Sequence, residues 1–280
     1  MHAFISSIAL VAFAANSLLC RMALAPGLID PVAFTSIRLL SGVAVLVPVS
    51  AFVSEPRAEG RPSGSWRSGL ALFVYAMTFS LAYVSLETGT GALLLFASVQ
   101  ATMIGAGLWG GERPSLRQWL GLVLAMGGLL YLVLPGIAAP DPMGAILMVT
   151  SGIGWGVYSL RGKGSVAPVA ATASNFARAL PMTIPFLLVA FEELHATPRG
   201  AVLAVASGAL TSGLGYVIWY FALRGLSATR AAIVQLVVPV IAAVGGIVLL
   251  AEQPTTRLAI ASALILGGVA VAILARETVR

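Results

Sequence analysis

Ten apolar stretches, each near the ~20 residues that a helix needs to cross a bilayer, fill this chain almost end to end. They run over 3–21, 31–53, 68–86, 90–110, 115–135, 143–161, 169–191, 199–222, 230–250 and 257–275. The longest joint between them, 54–67, has 14 residues, too few for a soluble domain. Charged residues make up 9% of the chain, where a soluble domain carries roughly 25%. Such a chain cannot clothe a globule in charge, and its solvent is lipid. In lipid every backbone N–H and C=O must be satisfied within the protein. The predicted fold class is therefore an all-α integral membrane protein with ten transmembrane helices. The first stretch carries "AFA" at 12–14, which resembles a leader cleavage site. It lacks a positive leading region and nine more stretches follow, so it reads as a retained helix.

The chain also repeats itself. Residues 111–128 read "GERPSLRQWLGLVLAMGG" and residues 251–268 read "AEQPTTRLAIASALILGG". Glu112 and Glu252, Pro114 and Pro254, Arg117 and Arg257, and the pairs Gly127–Gly128 and Gly267–Gly268 coincide at an offset of 252 − 112 = 140. This divides the chain into a first repeat, 1–140, and a second, 141–280. Five helices per repeat is an odd number, so the second copy enters the membrane upside down. Inverted repeats about an axis in the membrane plane are a construction of secondary transporters, with the site at the midplane where the halves meet. Soluble solenoid repeats have shorter periods, ~20–50 residues.

Lys and Arg orient the chain. With the N-terminus cytoplasmic, the inside receives Arg57, Arg61, Arg67, Arg113, Arg117, Arg161, Lys163, Arg224, Arg230, Arg276 and Arg280. The outside receives Arg21, Arg199 and Arg257, and eleven against three puts both termini in the cytoplasm. The net charge of +6 is thinly spread without a Lys/Arg run, so a nucleic-acid partner is not expected. The partners implied are the lipid bilayer and a small-molecule substrate; the chain itself could be a monomer or a homodimer.

The Glu-Pro-Arg segments followed by "GG" resemble the turn between the fourth and fifth helices of EamA-type domains in the drug/metabolite transporter superfamily. "PVAFTSIR" at 31–38 and "PVAATASNFAR" at 168–178 resemble the second-helix Pro and Arg signature of that family, and Pro239 matches its fourth-helix Pro, replaced by Val99 in the first half. The resemblance covers the whole chain. It implies two inverted five-helix EamA-type repeats, a multi-pass protein of the cytoplasmic (inner) membrane, export by alternating access, and no cofactor. Tyrosine-rich third and eighth spans further resemble the YddG-like aromatic amino acid exporters.

Polar and aromatic side chains within the spans are the candidates for lining a pathway, since polar groups in lipid turn toward protein. Span 3 carries Tyr75, Phe79 and Tyr83 four residues apart; span 8 carries Ser212, Tyr216 and Tyr220 at the same spacing. Gln100 and Gln235 sit in the fourth helix of each half, Asn16 and Asn175 stand alone in apolar spans, and Trp155 lies between Gly154 and Gly156. Cavity lining competes for each with packing, helix–helix hydrogen bonding or an interfacial belt. Arg38 and Arg178 lie seven and ten residues past Pro31 and Pro168, so ~10 and ~15 Å along their helices. An Arg fork suits a carboxylate, but the family carries an Arg here across varied substrates, which favours a role in holding helices together. Glu112, Pro114, Glu252 and Pro254 read as turn architecture, with Pro at a helix start and a carboxylate near its positive end.

All ten carboxylates, Asp30, Glu55, Glu59, Glu87, Glu112, Asp141, Glu192, Glu193, Glu252 and Glu277, fall in joints or at span ends. No Asp or Glu is therefore placed to serve as an intramembrane proton relay, which disfavours a proton-coupled exporter of cationic drugs. Facilitated diffusion or exchange needs no such group. His2 and His195 are the two histidines, and Cys20 the one cysteine, so no metal cluster is expected. No Walker loop, H-E-x-x-H or G-x-S-x-G occurs, so an ATP-driven pump or an enzyme is not expected. The expectation is an exporter of small zwitterions, aromatic or other hydrophobic amino acids above all. The alternatives are an exporter of nucleosides, purines or other neutral metabolites, and a membrane-embedded binding or assembly protein.

Overall fold

A computed structural model describes residues 2–53, 55, 64–111, 115–134, 136, 139–162, 165–223, 235 and 237–277. Among them the chain is helical, apart from an isolated bridge between Ile29 and Ala196. The first five spans are α1 (His2–Leu24), α2 (Pro31–Phe52), α3 (Trp66–Ala82), α4 (Thr88–Trp109) and α5 (Leu116–Val133). The sixth is α6 (Pro142–Gly162). The seventh is broken: α7 (Pro168–Ala179) passes through a 3-10 turn, Leu180–Thr183, into the short α8 (Ile184–Val189). Pro181 and Pro185 explain the break, because each lacks an N–H and crowds the carbonyl four residues back. The eighth runs from α9 (Pro198–Ala206) through a π-helical stretch, Ser207–Leu214, to α10 (Gly215–Leu223). Last come α11 (Val237–Leu250) and α12 (Thr256–Glu277).

Helix starts follow local chemistry. The Asp30 carboxylate accepts from the N–H groups of Val32 and Ala33, both at 2.9 Å, and Pro31 occupies the first helical position, where no donor is needed. Ser115 and Gln118 form a reciprocal capping box on α5. The outer surface is apolar in the way lipid requires: Val123, Leu130, Val248 and Leu249 are all exposed. Trp66 and Trp109 are exposed at the ends of α3 and α4, where interfacial tryptophans belong.

The two halves interleave, and the main packing relations recur with the halves exchanged. α6 packs on α3 and α4, while α1 packs on α10 and α11. The inverted symmetry is most direct between α5 and α12, whose glycine motifs cross. A Cβ on Gly121 would lie 2.5 Å from the Gly268 carbonyl and the Ala272 N; one on Gly268 would lie 2.5 Å from the Ala125 N. Gly128 meets Leu264 and Ile265 in the same way. Gly127 and Gly267 differ: a Cβ on either would meet nothing within 4 Å. One glycine of each pair makes the crossing, and the other faces away from it.

One face of the molecule, bearing residues 25–30, 83–87, 139–141, 190–197 and 251–255, is tied together by hydrogen bonds. Glu252 does not serve its own helix. Its carboxylate takes the Thr88 N–H at 2.8 and 2.9 Å and the Thr88 hydroxyl at 2.9 Å, capping α4 of the other repeat. Arg21, at the end of α1, lies 3.6 Å from that carboxylate and donates to the carbonyls of Tyr83 and Val84 at 3.1 and 2.9 Å. Nearby, Asp30 and His195 exchange two bonds: the Asp30 N–H donates to the His195 carbonyl at 3.0 Å, and the His195 N–H to the Asp30 carboxylate at 3.1 Å. The His195 ring spans to Glu193 and Gly27, with Nδ1 3.1 Å from one carbonyl and Nε2 3.2 Å from the other. Only the imidazolium can donate to both.

Two measurements test this packing. Gly268→Ala should destabilise the detergent-purified protein by about 1–3 kcal/mol in a thermal melt, because its Cβ meets backbone. Gly267→Ala, with open space around it, should be neutral or gain up to ~1 kcal/mol from helix propensity. For His195, the Glu193 carbonyl, then the Gly27 carbonyl and the Asp30 charge, raise the ring's pKa above its ordinary 6.5. The clamp is then complete below 6.5 and is lost as pH rises through the raised value. Amide exchange at 28–30 and 195–197, corrected for its intrinsic pH dependence, should quicken across that window, and His195→Ala should abolish the change.

Candidate functional site

A narrow cleft lies between α1, α3, α4, α6 and the eighth span. Phe13, Asn16, Ser17, Tyr75, Phe79, Leu95, Phe96, Trp155, Thr211 and Tyr216 line it. Its walls are mostly rings. Trp155 lies 4.9 Å from Tyr75 and 5.0 Å from Tyr216, centroid to centroid, and Phe13 stands edge-on to Trp155, Tyr216 and Trp219 at 6.4, 6.0 and 5.7 Å. These spacings are those of attractive aromatic pairs. The cleft offers about 20 Å³ of space for water centres, and a single water needs ~10–15 Å³ on that measure. Any organic cargo therefore requires the walls to part.

One side of the cleft is polar. The Asn16 Oδ1 accepts from the hydroxyls of Ser207 at 2.7 Å and Thr211 at 3.0 Å, and its Nδ2 makes a long contact, 3.5 Å, with the Tyr75 hydroxyl. Arg38, 1% exposed, reaches the same hydroxyl through Nη2 at 3.0 Å, and its Nε donates to Ser212 at 3.2 Å. Its guanidinium carbon sits 5.2 Å from the centroid of the Tyr75 ring and 5.1 Å from that of Phe79, within cation–π range. Arg38 Nη1 is buried without a hydrogen-bond partner among the described residues, and the buried Tyr216 hydroxyl has only a marginal contact with that of Tyr75.

The π-helical stretch makes this arrangement possible. In an α-helix Ser207 and Thr211 share one face, and Ser212 and Tyr216 another. The wider π turn lets one element serve Asn16 on α1 and Arg38 on α2 together, and such bulges recur at functional sites. Gly208 admits the close approach, since a Cβ there would lie 2.1 Å from the Arg38 carbonyl.

The cleft gathers Asn16, Tyr75, Phe79, Trp155 and Tyr216 from the sequence candidates. Tyr83 lies outside the cleft lining: fully buried at the end of α3, it stands edge-on to Phe79 and donates to the Thr88 carbonyl at 3.3 Å. Gln100 lines a separate crevice between α4, α5 and α12, among them Ala97, Ile104, Leu122 and Ala272. Gln235 is half-buried and does not line the cleft. Arg178 does not join Arg38; it donates to the carbonyl and hydroxyl of Ser174 on its own helix. Asn175 accepts from the Ser65 N–H at 2.9 Å, fixing the start of α3. Glu112, Pro114 and the Tyr220 side chain lie outside the described residues. Sequence reasoning missed Phe13, Ser17, Ser207 and Thr211. Phe13 stands three residues before Asn16, on the face that Asn16 marks, and this spacing was the available signal. Among the described residues no group of three or more His, Cys, Asp or Glu could hold a metal ion.

The profile of the EamA-like transporter family matches this chain twice, over residues 2–134 and 142–274. An uncharacterized protein of Pseudomonas aeruginosa is 50% identical over 263 residues, covering 94% of this chain and 91% of its own. An uncharacterized transporter of Archaeoglobus fulgidus is 27% identical, with 86% and 87% covered. A probable terminal-alkyne amino-acid exporter of Streptantibioticus cattleyicolor is 25% identical, with 85% and 82% covered. A solved crystal structure, 20% identical, shares the fold with a TM-score of 0.68 across 99% of this chain and 98% of the other. The chain belongs to the EamA-like transporter family, and is a multi-pass membrane protein built of two inverted repeats.

Proposed function

We propose that this transporter exports small zwitterionic metabolites, aromatic or other bulky apolar amino acids above all, from the cytoplasm by alternating access. The observation that carries the reading is the cleft itself: rings on most sides, a hydrogen-bonded polar side, and no carboxylate side chain in its lining. Rings accept an apolar side chain. The Asn16, Tyr75 and Tyr216 edge offers partners to a polar head group. The amino-acid exporter among its relatives supports the same cargo class. The Lys/Arg asymmetry supports an inner-membrane protein with cytoplasmic termini, and a single chain holds the whole cleft, so a monomer suffices.

Export requires opening of the face that Arg21 and Glu252 hold shut. That motion parts α1 from the ends of α3 and α4. It is the rocking of α1, α2, α6 and α7 against the remaining helices that inverted repeats provide. Facilitated diffusion or exchange fits best, because all ten carboxylates lie in joints or at span ends.

Uptake of radiolabelled phenylalanine or tryptophan into liposomes containing only the purified protein tests the proposal. Saturable uptake indifferent to an imposed pH gradient is expected. Trp155→Ala should raise KM on the order of tenfold, the equivalent of ~1.4 kcal/mol of lost ring contact. Flux competed by adenosine or guanine and not by amino acids would move the cargo to nucleosides and purines. No flux of either class, with the protein folded, would overturn transport of these solutes.

A further inference from the structure

Among the described residues, Arg38 is a cation without a counter-charge. It is 1% exposed, and its partners are the hydroxyls of Tyr75 and Ser212 and the faces of two rings. No carboxylate among the described residues pairs with it, and Nη1 has no acceptor. A guanidinium buried at this depth is expensive to hold unless something compensates the charge. Were its task only to tie α2 to its neighbours, a neutral side chain could take the hydroxyl bonds at lower cost.

A second poorly satisfied donor lies beside it. The Tyr216 hydroxyl lines the cleft, is buried, and has only a marginal contact with the Tyr75 hydroxyl, short of hydrogen-bond geometry. Buried polar atoms in native proteins are almost always satisfied, and an exception calls for an explanation. Here the two exceptions are a charged donor and a phenol donor. Both stand around Tyr75, whose hydroxyl already belongs to Arg38 Nη2.

We propose that Arg38 Nη1 and the Tyr216 hydroxyl form a carboxylate anchor, with the carboxylate of the cargo as the missing counter-charge of Arg38. The inference rests on the transport reading and narrows it: cargo is selected for its carboxylate, and the amine contributes less. A carboxylate offers two oxygens with about four lone-pair positions, enough for both donors at once. Its hydrocarbon side chain then projects among Trp155, Phe13 and Tyr216, which already surround the cleft. Tyr75 would be a positioning residue, holding the guanidinium through Nη2 and leaving Nη1 to the cargo.

Three probes of one shape separate the possibilities: L-phenylalanine, 3-phenylpropionate, which lacks the amine, and phenethylamine, which lacks the carboxylate. Each is titrated against the purified full-length protein, and ligand-induced thermal stabilisation is read. Both carboxylates should stabilise the wild type and phenethylamine should not. Tyr216→Phe removes one hydroxyl with only a marginal partner in Tyr75 and should fold as the wild type does. It should shift the phenylalanine and phenylpropionate titrations to roughly tenfold higher concentration, the loss of about one charge-assisted hydrogen bond. Arg38→Gln, where it folds, should abolish both. Phenethylamine binding as well as phenylalanine, unchanged titrations in Tyr216→Phe, or no binding by either carboxylate would overturn the anchor. Flux is read separately. Phenylpropionate binding that depends on Tyr216 without phenylalanine flux keeps the anchor and ends the amino acid reading. Phenylalanine flux indifferent to Tyr216→Phe does the reverse.

Discussion

The contact on which the centre of this protein depends is the approach of α2 to the π-helical stretch at Gly208. With room for no Cβ there, the backbone of Ser207–Leu214 lies against α2 beside Arg38. The widened turn then presents hydroxyls to two helices at once: Ser207 and Thr211 to Asn16, and Ser212 to Arg38. A regular α-helix would aim these residues on diverging faces. The irregularity costs ideal backbone geometry and gains three satisfied side-chain bonds in a medium where an unsatisfied polar group is expensive. The segment that departs from regular helix is thus the one that organises the cleft.

That also explains what the sequence could and could not disclose. Ten spans and their inversion are legible because lipid imposes a length, a composition and a positive-charge asymmetry, and the Glu-Pro-Arg motif recurs at half the chain's length. Tyr75, Phe79, Trp155, Tyr216 and Asn16 could be singled out because each is unusual in an apolar span. Helical spacing then misled at the edges. It put Tyr83 on the Tyr75 face, yet that residue falls at the end of α3, where the chain turns and its hydroxyl bonds the Thr88 carbonyl. Gln100 was marked by its polarity alone, and polarity does not say which neighbouring helix a residue faces. Ser207 and Thr211 were hidden because small hydroxyls are ordinary in membrane helices, and a π turn has no strong sequence signature.

Glu252 shows the same limit from another side. Its place before Pro254 marks a helix start, and the carboxylate belongs at a helix N-terminus, as electrostatics requires. The helix it caps is α4 of the other repeat, 164 residues away in sequence. Local pattern identifies the chemistry of a group, while only the fold supplies its partner. In an inverted-repeat protein this partner has a consequence, because a cap shared between repeats ties one half of the chain to the other.

In the proposed rocking of α1, α2, α6 and α7, Glu252 and Thr88 stay in one group, and the contacts at this face that part are those of Arg21 on α1. Glu252 accepts three hydrogen bonds from Thr88 and adds a looser ion pair with Arg21, whose side chains are 11% and 18% exposed. Bonds to a charged group contribute ~1.5–3 kcal/mol each at most, with water taking back part of that on opening. The two Arg21–carbonyl bonds and the ion pair that the proposed motion breaks then contribute about a few kcal/mol in all. Reversing a conformational equilibrium from 1:99 to 99:1 takes about 5.5 kcal/mol of differential binding. Closure by dispersed, partly hydrated bonds stays within reach of what a small cargo can supply, whereas a dry apolar seam of the kind between α5 and α12 would not. Polar ties at the face and glycine packing at the α5–α12 crossing match the division between parting and fixed helices that the proposed motion requires.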